Sequence, residues 1–321
     1  MINISFVIPC KNEESNISKC INSVLKQSKH LGIIDVVVVD NGSIDQTVSI
    51  LAKYGKTIEV YSLDKGASIS QVRNCGANIS KAEWIAFIDA DVELALDWGY
   101  GLKKVLYDLD AMGIDLTNVI TGATYSIPAD STWVQRIWYQ QLACRDRDKQ
   151  SYINGGNLIV NRKLFSMVGG FNPNCATGED VKFCEDALAA GAKIFKDESI
   201  KSFHHGYPKS VTEFFKRERW HGLGMKWNLC KPWRSRDLSF ALYNLVCIIS
   251  LLIMWIMSGS VIMSFLFYTF SIISPILLLS IKRCNKRYGT LIPLSFLYLI
   301  YGYARLLSLM DIILGILKRV Y

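Results

Sequence analysis

Half of the 321 residues are hydrophobic, so the chain can bury a full core and has length for one large domain with an appendage. The formal net charge of +8 comes with a positive mean hydropathy of +0.21, which argues against a soluble nucleic-acid binder and for a basic protein at a membrane surface. Nine cysteines, odd in number and without a CxxC pair or zinc-ligand spacing, argue against a disulfide framework and read as buried or free thiols in a reducing compartment.

No charged leader followed by an apolar stretch opens the sequence; Asn3 to Pro9 reads instead as a first strand, and the domain it begins is expected to stay in the cytosol. Apolar runs then alternate with amphipathic ones. Ile4–Ile8 precedes a helix from Ser15 to roughly Lys29, Val36–Val39 precedes a helix near Gln46–Tyr54, and Ile58–Tyr61 precedes a helix from Ser68 to Ile79 and a strand at Trp84–Ile88. Short all-apolar strands separated by helices predict an α/β fold, Rossmann-like, with a mostly parallel sheet covered on both faces. Ligands of such sheets bind beyond the strand C-termini. The suggestive polar residues fall there: Pro9 to Glu13, Asp40 to Ser43, and Asp89-Ala90-Asp91.

Two carboxylates leaving a buried strand, Asp89 and Asp91, make a hard anionic oxygen site suited to Mg²⁺ or Mn²⁺ carrying a diphosphate. Taken alone they read first as an ordinary acidic turn, and a second rival is the start of a haloacid-dehalogenase-type phosphatase with Asp89 as nucleophile. Further on, Glu179-Asp180 opens a helix through Val181, Phe183, Cys184 and Leu188, where the helix dipole favours acids and Thr177 is placed to cap. A strand at Ser199–Phe203 leads into His204-His205-Gly206.

From Phe214 to Trp233 cations (Lys216, Arg217, Arg219, Lys226, Lys231) interleave with Phe215, Trp220, Trp227 and Trp233, a pattern that suits a headgroup interface. Leu238 to Ile281 has no charged residue and is about twice the length needed to cross ~30 Å of hydrocarbon, so two spans near 238–257 and 261–281 are expected, turning at Ser258-Gly259-Ser260. Lys231, Arg234 and Arg236 before them and Lys282, Arg283, Lys286 and Arg287 after them put both outer ends in the cytosol. The segment near 291–317, interrupted by Arg305 and Asp311 and closed by Lys318-Arg319, reads as interfacial or re-entrant, its charges snorkelling or paired.

Four signatures in order, Phe6 to Glu13, Val37 to Thr47, Arg73-Asn74-Cys75-Gly76 and Asp89-Ala90-Asp91, resemble the opening of family 2 glycosyltransferases of the GT-A fold. The resemblance continues through Asn154-Gly155-Gly156-Asn157, Val168-Gly169-Gly170-Phe171 and Thr177-Gly178-Glu179-Asp180, over roughly residues 3–225. It implies an inverting enzyme that moves a sugar from a nucleoside-diphosphate sugar, expected to be a UDP-sugar, to an acceptor hydroxyl with a divalent metal, Mg²⁺ or Mn²⁺. By position it implies that Pro9, Asn12 and Glu13 form the first nucleotide-binding loop, Asp40 takes the base, Arg73 lies near the diphosphate and Asp89 contacts the ribose or a metal-bound water. Asp91, with Asp89 and His204, is implied to serve the metal. Asp180 corresponds to the base that takes the acceptor proton, with Glu179, Gly155, Gly156 and Asn157 on the acceptor side; turn geometry alone also accounts for glycines at 155, 156 and 178. Lys216 to Trp220 is similar to the Q-x-x-R-W motif of processive synthases but has Lys in place of Gln, so a single transfer is expected, with Arg219 and Trp220 near the acceptor.

The expected organisation is a catalytic domain over 1–236, interfacial from 210, and a membrane region over 237–321. Expected partners are the nucleotide-sugar, a lipid-linked or saccharide acceptor and the membrane, with no nucleic acid; the expected place is the cell (inner) membrane, multi-pass, with the catalytic part cytoplasmic and a role in cell-surface polysaccharide or glycolipid synthesis. A dinucleotide oxidoreductase would need G-x-G-x-x-G after the first strand, and Pro9-Cys10-Lys11-Asn12 is not one. A non-catalytic membrane scaffold would have lost the acids, and Asp40, Asp89, Asp91 and Asp180 are all present.

Overall fold

The computed structural model describes residues 2–63, 66–146, 152–175, 177–228, 235–283 and 288–315. Among the nine cysteines and the residues named above, Cys230, Lys231, Trp233, Arg234, Cys284, Lys286, Arg287, Lys318 and Arg319 lie outside the described residues, as do the side chains of Cys144, Lys226, Trp227 and Arg236. The chain forms two compact units, Met1–Ala129 with Asp146–Gly206, and Asp130–Arg145 with Tyr207–Tyr321.

The first unit is α/β. Its elements are β1 (Ile4–Cys10), α1 (Ile17–Leu25), α2 (Ser28–Leu31), β2 (Ile34–Asp40), α3 (Thr47–Ala52), β3 (Glu59–Ser62), α4 (Ile69–Ile79), β4 (Trp84–Ile88), β5 (Val92–Leu94), α5 (Trp98–Ala111) and β6 (Val119–Gly122). After α6 (Trp133–Asp146), which packs mainly in the second unit, come β7 (Asn157–Asn161), α7 (Arg162–Val168), α8 (Glu179–Ala189), β8 (Lys193–Lys196) and β9 (Ser202–His204). The sheet runs β3-β2-β1-β4-β7-β6-β8. Its first four strands are parallel and β7 is antiparallel to both neighbours. A separate pair, β5 with β9, sets Val92 opposite His204.

The central strands form on apolar runs, Phe6–Ile8, Val36–Val39 and Trp84–Ile88, since helices cover both faces; β3, at the edge, is exposed at every position. β1 and β4 are buried at every position. Alternation sends Phe6 and Ile8 to one face with Trp98 and Leu102, and Val7 and Phe87 to the other. There Phe87 meets Phe171 at 5.0 Å and Phe171 meets Phe183 at 4.9 Å, which seats α8 on the sheet. Removing a ring so placed costs about 3–5 kcal/mol.

Three local differences from the sequence reading have identifiable causes. The helix expected from Ser15 to Lys29 breaks into α1 and α2, because the Ser28 hydroxyl donates to the Leu25 carbonyl at the end of α1 while the buried Gln27 amide bonds to Ser23 and Ala95 carbonyls. The strand expected at Ser199–Phe203 starts at Ser202, because Ser199 is held in a turn by Asp197 through both its N–H and its hydroxyl. Pro9 lies within β1, as the strand reading of Asn3 to Pro9 expects, and not in the first nucleotide-binding loop that the resemblance implies for it; it is buried and opposite Val39.

In the second unit α6 lies with α9 (Val211–His221), α10 (Arg236–Ser258), α11 (Val261–Arg283) and α12 (Leu291–Leu314). Trp138 of α6 packs on Phe214 at 4.7 Å and on Tyr298 at 5.7 Å. Gly259 closes α10 in the left-handed region at φ 61°, making the tight turn to α11. All three last helices are long and apolar enough to cross a membrane. The third segment is a continuous helix, and its two charges are paired with α9: Arg305 donates to Glu218 at 2.8 Å, and Asp311 accepts two bonds from Arg219 at 2.8 Å.

Candidate active site

At the C-terminal ends of β1 and β2 two loops are stitched together. Asn12, at φ 56°, accepts from Ile44 N–H through its side chain and donates its own N–H to the Ser43 hydroxyl, while Glu13 N–H donates to Thr47 Oγ1. Asp40 is buried, and its carboxylate accepts from Gly42 N–H, Ser43 N–H, the Ser43 hydroxyl and, at 3.7 Å, the Cys10 thiol. Those four donors occupy the lone-pair directions of a carboxylate. In this structure Asp40 therefore builds its own loop, and a base N–H would have to replace the rotatable Ser43 hydroxyl. The Glu13 carboxyl is pushed up to about 7, by burial first and by the nearness of Asp91 and Asp89, against a stabilising bond from Asn16.

β4 ends at Ile88, and the next three residues turn so that Val92 N–H reaches the Asp89 carbonyl. Because Val92 faces His204 across the β5–β9 pair, Asp91 comes within 3.5 Å of His204 Nε2. His205, with the opposite parity of a strand, pairs instead with Glu93 at 2.9 Å. The geometry thus separates the two histidines, and His204 is the one beside Asp91. Tyr125 packs on the His204 ring at 4.9 Å and accepts from Gly156 N–H. A Cβ at Gly206 would collide with the Asp91 carboxylate, so only glycine lets that backbone pass.

Arg73 of α4 connects this turn to α8. It is 3% exposed and donates to Asp89 at 2.6 Å and to Glu179 at 2.5 Å. Burial opposes its charge, but the two carboxylates raise its pKa further. Gly155 packs on the guanidinium, where a Cβ would come within 2.8 Å, and a Cβ at Gly156 would collide with the Asp89 carboxylate. These two glycines are explained by close approach to protein side chains rather than to a sugar. Gly178 has a different cause: it caps α8 in the left-handed region at φ 76°, and Thr177 makes no capping bond.

Asp180 accepts from Gly155 N–H at 3.0 Å and from Val181 N–H at 2.8 Å. Burial first, and then the neighbouring Glu179, raise its pKa to about 6, against the Gly155 bond and Arg73. Asp89, Glu179, Asp180, Gly155 and Gly156 are thus brought together around one guanidinium, with Asp91 and His204 on the same turn as Asp89. Asn157 is not available to a ligand: it is fully buried, accepts from Trp98 Nε1 and donates to the Ala123 and Ile200 carbonyls. Glu179 is likewise engaged by Arg73. Arg219 and Trp220 belong to the second unit, where Arg219 holds Asp311 and Trp220 is 40% exposed.

Among the described residues no three His, Cys, Asp or Glu side chains converge as a complete metal shell. Asp91 and His204 offer two ligands, one oxygen and one nitrogen, close enough to share a cation. That donor set fits a Mg²⁺ or Mn²⁺ whose remaining ligands would come from outside the protein. The sequence reading missed Tyr125 and Gly206. Tyr125 follows the end of β6, so the rule that ligands gather beyond strand ends could have found it; Gly206 carries no signal beyond following the two histidines.

A family model described as glycosyl transferase family 2 matches residues 5–169. Glycosyltransferase AglE of Haloferax volcanii is 27% identical over 250 residues, covering 76% of this chain and 80% of that protein. Poly(ribitol-phosphate) beta-N-acetylglucosaminyltransferase TarP of Staphylococcus aureus is 30% identical over 221 residues, covering 67% of this chain and 62% of that one, so this chain spans less than two thirds of that relative. Among solved structures, a mannosyltransferase from Pyrobaculum calidifontis in complex with GDP-Man and Mn²⁺ superposes with a TM-score of 0.58 at 14% identity, covering 95% of this chain and 87% of that one, a likeness of fold.

Proposed function

This chain belongs to glycosyl transferase family 2 and is a glycosyltransferase; from that premise we propose that it transfers the sugar of a UDP-sugar, with inversion, to a hydroxyl of a lipid-linked acceptor at the cytosolic face of the cell (inner) membrane, in cell-surface polysaccharide or glycolipid synthesis. The observation that carries the reading is the convergence of the Asp89–Asp91 turn and the Glu179-Asp180 helix start around Arg73, Gly155 and Gly156 within one unit.

In this mechanism Asp180 takes the proton from the acceptor hydroxyl, the freed oxygen pair forms the bond to the anomeric carbon, and the bond from that carbon to the diphosphate oxygen breaks on the opposite side. Asp91 and His204 would hold a divalent metal, which supplies positive charge to the departing diphosphate. The joined loops carrying Asn12, Glu13 and Asp40 receive the nucleoside, with Asp40 accepting a uracil N–H once the Ser43 hydroxyl turns away. Asp89, whose one oxygen is held by Arg73, presents the other to the ribose. The proposed arrangement keeps the catalytic part within residues 1–236 and the membrane region within 237–321. Its support is the apolar length of α10 and α11 and the basic end of α11 at Lys282 and Arg283.

The test is to incubate membranes bearing the protein with labelled nucleotide-sugars and to follow the label and its anomeric configuration. Label entering the lipid fraction, with configuration opposite to the donor's, is the expected result. Transfer to soluble acceptors alone removes the lipid assignment, and phosphate release without acceptor favours the phosphatase.

A further inference from the structure

We propose that Arg73 is a positioning residue rather than a diphosphate ligand: its guanidinium ties Asp89, on the turn after β4, to Glu179, on the first turn of α8, and so fixes Asp180 against the donor side of the site while cancelling its neighbour's charge. The inference deepens the glycosyltransferase reading above and rests on Asp180 being the base.

Four observations converge on this bridge. One terminal nitrogen donates to Glu179 and the other to Asp89, and the side chain is 3% exposed, so an incoming diphosphate would have to displace a carboxylate from a buried pair. Gly155 lies against the guanidinium, and its N–H holds Asp180, which makes the cation part of the surface that places the base. The face of Phe171 covers the guanidinium at 5.6 Å. Next along α4, Asn74 exchanges two bonds with the backbone of Phe171, donating to its carbonyl at 2.8 Å and accepting from its N–H at 2.9 Å, and so secures the segment leading to α8.

Charge completes the argument. Glu179 and Asp180 are adjacent acids at a buried helix start, and two neighbouring anions there disfavour each other's ionised form unless a cation is shared. Among the described residues the charged groups facing Asp180 are Glu179 on its own helix and Arg73 on α4; Cys184, one turn on, has its thiol held up at about 12 by burial and is neutral. A planar two-pronged cation spans two carboxylates in a way that the single ammonium of lysine does not. Arg73 therefore sets both where Asp180 sits and how readily it ionises.

The experiment compares wild type, Arg73→Lys, Arg73→Gln and Glu179→Gln in the full chain, reconstituted in lipid nanodiscs, by pH profile, donor binding with Mn²⁺ and thermal melting. Loss of the cation in Arg73→Gln should move the acidic limb of kcat/KM up by about one pH unit, and loss of the anion in Glu179→Gln should move it down by a similar amount. Donor affinity should change less than about threefold in Arg73→Lys, while kcat falls. Weakening of donor binding by about tenfold or more with an unmoved limb would mark a diphosphate ligand and overturn the bridge. If Arg73→Gln fails to fold, the donor affinity of Arg73→Lys and the melting of its double variant with Glu179→Gln decide. Melting separates this inference from the functional reading: the Arg73→Lys/Glu179→Gln double variant should lose much less than the sum of the single losses, whereas additive losses refute the bridge whatever Asp180 does. Full turnover by Asp180→Asn, with that coupling intact, would instead remove the base assignment.

Discussion

The Asp180 carboxyl sits at about 6, raised by burial and by Glu179, and the sign of that shift has two consequences. A base must be ionised to accept a proton, so kcat/KM should fall roughly tenfold per pH unit below about 6, and a profile flat down to pH 4 would contradict the assignment. Stability runs the other way: between the ordinary carboxyl value of about 4 and about 6 the unfolded chain gives up its proton first, so folded stability should decline as pH rises through that window. Asp180→Asn removes this decline, and its melting temperature at pH 7 should be no lower than that of wild type. At this scale the sequence was informative about acids and silent about amides. Asp89, Asp91 and Asp180 stand out because ionised groups beside apolar strands need a reason, whereas Asn157 reads as a site residue and proves to be a core hydrogen-bonding hub. Nothing local distinguishes the two, because its partners Trp98, Ala123 and Ile200 are distant in sequence.

Among elements, the opening β1-β2-β4 core was readable because each strand carries an apolar run, Phe6–Ile8, Val36–Val39 and Trp84–Ile88. The three-residue offset in the start of β9, from Ser199 to Ser202, was not, since it is set by a side-chain turn at Asp197 rather than by apolar pattern. That offset matters: it puts His204 in register with Val92 and beside Asp91. Gly206→Ala, which forces a methyl into the Asp91 carboxylate, should weaken Mn²⁺ binding by about ten- to a hundredfold in a direct titration with donor present; unchanged affinity would separate Asp91 from the metal. The α9–α12 contact makes a second prediction. Arg305 and Glu218 have side chains only 5% and 6% exposed, so Glu218→Ala should cost about 3 kcal/mol in a denaturation measured in detergent, by leaving the buried cation with only the more distant Asp237 carboxylate at 3.6 Å. A change under about 1 kcal/mol would mean that the pair is solvated. The pairing itself could not be read from the motif around Arg219, because its partners lie on a helix nearly ninety residues away.

For the whole molecule, α10 and α11 expose Trp255, Met257, Phe265 and Phe270, each more than half accessible, and both helices are long and apolar enough to cross a membrane. The absence of charge from Leu238 to Ile281 made this legible from sequence, while α12 was harder because its charges are internal to the protein and only the three-dimensional pairing reveals it. Under the proposed function, a bilayer tether would give the family's chemistry a reason to act on acceptors held in the same membrane. The central claim, that separate carboxylates serve donor and acceptor in one site, is tested most directly by measuring donor binding and sugar transfer side by side on Asp180→Asn in lipid nanodiscs. Donor affinity within about threefold of wild type with transfer reduced about 10²–10⁴-fold is the predicted result; transfer at the wild-type rate would contradict the account.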